Sequence, residues 1–73
     1  MTRTTHSARI TGPIAYQSPA GRRLHIPLGP CLVERGDGDE VDIFWGANAQ
    51  RCAAVPLDAL TSAEDSGYLV LLD

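Results

Sequence analysis

The clearest pattern in the chain lies between residues 31 and 45. Residues 31–35 read as one strand and GDGDE at 36–40 as a turn. Residues 41–45 read as a second strand, with Val41, Ile43 and Trp45 on one face and Asp42 and Phe44 on the other. Two short extended runs joined by a glycine-rich acidic turn predict an antiparallel hairpin, and the period of two sends alternate side chains to opposite faces. The Val41, Ile43 and Trp45 face is expected to point inward.

The same reading extends outward from this hairpin. Residues 1–7, MTRTTHS, are polar and lack periodicity, which predicts a disordered tail. Residues 8–16 hold a short strand interrupted at Gly12-Pro13, and QSPAGR at 17–22 is a loop. Leu24, Ile26 and Leu28 alternate with His25 and Pro27, a strand with one buried face. Pro27 has no N–H to donate, so this strand belongs at a sheet edge or is irregular. Gly29-Pro30 makes a turn. After the hairpin, GANAQ at 46–50 turns the chain into a strand over residues 51–55. Pro56 starts a helical turn near residues 57–66, with Asp58 near its start and Gly67 at its end. Thr61 and Glu64 have the spacing of a capping box and extend that turn toward Ser66. Residues 68–72, YLVLL, are wholly apolar, a closing strand covered on both faces.

Five or so short strands with turns every eight to twelve residues predict a mainly β domain over residues 8–73, a small barrel or sandwich, of which the closed barrel would remove exposed edges. With 73 residues the chain is one domain near the lower size limit for folding unaided. A core of that size supplies about 3–5 kcal/mol. The order VDIFWG, tight turn, RCAAVPLDAL, YLVLL resembles the second half of an SH3-like barrel, with Trp45 on a strand and Val55-Pro56 leading into a helical turn. The resemblance implies a small closed barrel of about five strands. The first half lacks the acidic, aromatic-rich loop of proline-peptide binders, so that activity is not implied. The chain is also similar to short bacterial proteins that carry no assigned activity.

Charge sharpens the choice of partner. All six basic residues are arginine, so no lysine is present to form a Schiff base. Residues 1–33 carry four arginines and no acid, whereas residues 34–73 carry nine acids against Arg35 and Arg51. Arg9, Arg22, Arg23 and Arg51 are the candidate contacts for a polyanion, with Tyr16 or Phe44 as a stacking platform for a nucleic acid. The net charge of −3 weighs against that reading. No secretory signal opens the chain, and residues 68–72 are too few to cross a bilayer, which predicts a cytoplasmic, bacterial protein away from membranes.

The chemistry-bearing residues do not assemble into a catalytic pattern. Cys31 and Cys52 are expected on strands either side of the Trp45 strand, too far apart for a disulfide, and a reducing cytoplasm disfavours one. Neither cysteine has the spacing with His6 or His25 that holds a metal. The run from Asp37 to Asp42 has acids at calcium-loop spacing, but Val41, Asp42 and Asn48 fall where such a loop needs an oxygen ligand, glycine and glutamate. Ser18, His25 and Asp42 lack the nucleophile-elbow context of a hydrolase. The expectation is therefore a non-enzyme without cofactor or metal.

Phe44 is the informative anomaly. If Trp45 points inward, Phe44 points outward beside Asp42, where an aromatic anchors a partner. The competing expectation is that the N-terminal segment covers Phe44 through Ile10, Ile14 or Tyr16. The leading reading is a protein-interaction module using Phe44, Tyr16 and Asp42, monomeric or weakly self-associating, with an unknown protein partner. The alternative is a nucleic-acid-binding small barrel.

Overall fold

The computed structural model describes residues 4–36 and 38–72. It is mainly β, as expected. Strand β1 is Thr4–Ile10, β2 is Ala15–Gln17, β3 is Arg23–His25, β4 is Gly29–Arg35 and β5 is Glu40–Trp45. A single 3-10 turn, Ala47–Ala49, leads into β6, Arg51–Pro56; helix α1 is Leu57–Asp65 and β7 is Leu69–Leu71. Five strands form one antiparallel sheet in the order β6-β5-β4-β1-β7, and β2 and β3 form a separate two-stranded ribbon.

The hairpin forms in the expected place. Cys31 lies opposite Trp45, Val33 opposite Ile43 and Arg35 opposite Val41. Val41, Ile43 and Trp45 are all buried, together with Val33, Val55, Ile10 and Leu69 from the same side of the sheet. Ile14 and Ile26 from the ribbon and its flanks, and Leu60 and Ala63 from α1, close over that side. The core is thus a sandwich between the inner face of the sheet and a cover made of the ribbon and the helix.

The helix is set by its ends. Pro56 is the residue before its first turn and carries no side-chain cap, while the Leu57 N–H donates to the Asp39 carbonyl at 2.7 Å. This bond ties the helix start to the end of the 36–40 turn. At the far end, the Gly67 N–H donates to Glu64 O at 3.0 Å and the Tyr68 N–H to Ala63 O at 2.8 Å. That pair of bonds is a Schellman stop, and Gly67, at φ 78°, occupies the left-handed position it requires. Thr61 does not form the expected capping box. It sits inside a continuous helix, where its hydroxyl donates to Leu57 O at 3.1 Å.

Four expectations are corrected. The sheet ends at β6 on one side and β7 on the other, so it does not close into a barrel. Residues 4–7 of the expected disordered tail are strand, because β1 pairs with β4 from Thr4↔Arg35 onward; residues 1–3 lie outside the described residues. The alternation at residues 24–28 does not mark a buried strand face. Only Ile26 is buried, Leu28 is 68% exposed, and Pro27 and Leu28 follow β3 while β4 begins at Gly29, within the expected turn. Finally, residues 68–72 are not covered on both faces: Leu69 is buried, but Tyr68, Val70, Leu71 and Leu72 are exposed. This strand is an edge, with β1 as its single neighbour. Among the described residues, no helix is long and apolar enough to cross a membrane.

Candidate interaction surface

With the ribbon and α1 stacked on the inner face, no element among the described residues covers the outer face of the sheet. The strand register resolves that face into rows. Ser7, Leu32, Phe44 and Cys52 lie opposite one another across β1, β4, β5 and β6. Leu72 joins the row from the far edge, where its N–H donates to Ser7 O at 2.8 Å. On one side of this row lie Val70, Arg9 and Pro30, and on the other lie Thr5, Glu34, Asp42 and Ala54. An apolar band therefore separates an arginine from two carboxylates.

The band is accessible. Leu32 is 37% exposed, Val70 43% and Leu72 58%, and Phe44 is half-buried. A shallow depression of about 250 Å³ opens here, lined by Phe44, Leu32, Ser7, Leu72, Gly46 and Ala49. It is smaller than the ~300–1,000 Å³ of a typical small-molecule pocket. Gly46, at φ 92°, and Asn48, at φ 62°, turn the chain sharply after β5 and bring Ala49 to its rim.

Phe44 thus points outward beside Asp42, as the alternation required. Among the described residues, Ile10, Ile14 and Tyr16 do not cover it. Ile10 and Ile14 are buried in the core, and Tyr16 stacks on the inward-facing Trp45 with ring centroids 5.6 Å apart and planes tilted by 59°. Tyr16 consequently does not share a face with Phe44. It meets Asp42 instead at a second groove, of about 560 Å³, between the 16–19 segment and the outer edge of β6.

The four candidate arginines are not gathered into one patch. Arg9 projects from the outer face of β1, and Arg51 begins β6 in phase with the inward residues, three strand spacings or roughly 14 Å away. Arg22 and Arg23 are exposed on the ribbon, where the Arg22 N–H donates to Ser18 Oγ at 3.2 Å. Of the four, Arg9 shares the outer face with Phe44 and Arg23 lies in the ribbon beside Tyr16, so they do not converge on either aromatic.

The two cysteines are free and face opposite ways, Cys31 buried inside and Cys52 exposed on the outer face. Burial pushes the Cys31 thiol above its ordinary pKa, because the thiolate would lose its hydration. Among the described residues, no group of three or more His, Cys, Asp or Glu side chains is placed to hold a metal ion.

Sequence reasoning missed Leu32, Val70 and Leu72. The phase of Leu32 between Cys31 and Val33 was a usable signal for the first. Nothing in YLVLL tells which of its residues lose their cover, since that depends on β7 being an edge. Comparison with family models, with curated proteins and with solved structures finds no match for this chain.

Proposed function

We propose that this chain is a non-catalytic protein-interaction module that binds through the outer face of its sheet. The observation that supports this reading is the uncovered apolar band of Phe44, Leu32 and Leu72 on a chain so small that idle apolar surface is costly. A half-buried aromatic flanked by aliphatics and rimmed by charge has the anatomy of an interface centre. Asp42 belongs to the rim of that surface, whereas Tyr16 supports the inner side through Trp45. The order of a Trp-bearing strand, a Val-Pro entry and a helical turn keeps the SH3-like resemblance as part of the proposal, in an open form. The free thiols fit a reducing compartment such as a bacterial cytoplasm.

The nucleic-acid reading gains no support from the dispersed arginines and is not preferred.

A photo-crosslinking residue at position 32, compared with one at the exposed helix position 61, tests the proposal in the source cells. Adducts of protein mass from position 32 and not from position 61 are expected. Equal labelling from the two positions, or none from position 32, would overturn it.

A further inference from the structure

We infer that the occupant of the outer face is a second copy of this chain, seated face to face across a two-fold axis that runs perpendicular to the strands. The inference rests on the reading of that face as an interaction surface and names its partner.

The charge pattern selects this arrangement. Arg9 and Glu34 stand on neighbouring strands, but their rows are four residues apart along the strand direction, about 14 Å at ~3.4 Å per residue. They are therefore out of reach of each other within one chain. A two-fold axis laid along the apolar row maps Phe44 and Leu32 onto the same row of the partner. It also exchanges the Arg9 row with the row of Thr5, Glu34 and Asp42. Each Arg9 then lies over the partner's Thr5, one strand from the partner's Glu34, and the symmetry makes the contact twice. An axis parallel to the strands would instead set Glu34 and Asp42 against their own copies, which like-charge repulsion opposes. The carboxylates keep capacity for this contact, since each has two oxygens and about four acceptor sites.

The area suits a modest dimer. Five strands at ~4.8 Å spacing and six residues at ~3.4 Å give a flat footprint of roughly 480 Å². Standing side chains raise the accessible area toward the ~600–800 Å² per partner of small to standard interfaces. That is at most about one sixth of the chain's 4871 Å² surface. On this axis Phe44 and Leu32 meet their own copies, and the small Ser7 and Cys52 that flank them in the row leave lateral room for the facing side chains.

Sedimentation equilibrium across low-micromolar to submillimolar concentrations tests the proposal on the full chain. The expected mass rises from the 7.8 kDa monomer to twice that value. Leu72→Lys, at an exposed position whose change leaves the far-UV spectrum and melting curve intact, abolishes the dimer. Arg9→Glu weakens it about tenfold, and adding Glu34→Arg to Arg9→Glu restores it, because the exchanged charges again meet across the axis. A wild-type chain that stays monomeric, a dimer indifferent to Leu72→Lys, or a charge exchange that fails to restore association would each overturn it. A monomeric chain that still gives heterologous adducts from position 32 overturns the dimer while leaving the interaction reading intact. Absence of any adduct from position 32 removes both.

Discussion

The ring of Tyr68 lies directly over Gly12: a Cβ built on Gly12 would fall 2.2 Å from Cδ1 and 2.6 Å from Cγ of the tyrosine. The same corner is laced by the Thr11 N–H donating to Tyr68 O at 2.8 Å and by the Thr11 hydroxyl donating to Gly67 O. Residues far apart in the chain thus meet where β1 ends and β7 begins. Gly12→Ala is expected to cost about 1–3 kcal/mol through overpacking. In a Tyr68→Ala background the same change costs much less. A double-mutant cycle in urea checks it, and additive costs would show that the ring is not what excludes the methyl group.

Neighbouring positions on β5 should differ sharply. Ile43 is fully buried, so Ile43→Ala removes ~2–5 kcal/mol, most of what so small a core supplies, and leaves the chain largely unfolded at 25 °C. Phe44→Ala, on the outer face, costs about 1 kcal/mol and leaves a cooperative melt. Thermal unfolding of the two variants side by side decides it; a Phe44→Ala variant as damaged as Ile43→Ala would place Phe44 in the core.

The two thiols should separate by reactivity. Cys52 reacts with a thiol reagent in the folded protein, whereas Cys31 reacts only on opening, because burial both blocks access and raises its pKa. The same shift gives a pH dependence. Below the unfolded thiol's pKa, about 8.5, both states are protonated and Cys31 contributes its full share of stability. As pH rises past that value the unfolded thiol ionises first, so stability falls until the folded thiol also titrates. Cys31→Ala should flatten this alkaline decline in urea midpoints measured between neutral and alkaline pH.

Residues 4–7 offer a direct test of the corrected tail. They extend the pairing with β4 from Ser7↔Leu32 to Thr4↔Arg35, so a chain beginning at Ala8 leaves most of β4 with an unpaired edge. A loss of at least about 2 kcal/mol, seen as a lower urea midpoint or a non-cooperative transition, is expected. An unchanged midpoint would mean that the segment contributes no more than a loose end.

These contrasts show where the sequence was legible. The hairpin of β4 and β5 could be read because its partners are local and its turn is marked by glycine and acids. The end of α1 could be read because Gly67 supplies a left-handed residue where the helix must stop. Thr4 to Ser7 could not, because this polar end of the strand is specified by its pairing with β4 and by little in its own composition. Leu24 and Leu28 misled through alternation without burial, since the ribbon is too short to cover them. For the surface, Phe44 followed from the phase of Trp45. The separation of Tyr16 from it depended on how the ribbon folds back, which only the tertiary arrangement decides.

The place of β1 between β4 and β7 sets a schedule for the chain as it folds. Ala8 pairs with both Cys31 and Leu71, so the earliest strand has to wait for the latest one. The β4–β5 hairpin closes locally, and β1 can dock on it before β7 is in place. Until Leu69 docks opposite Ile10, β1 offers a bare edge to solvent, and a partly folded chain passes through an interval in which another extended strand can capture it.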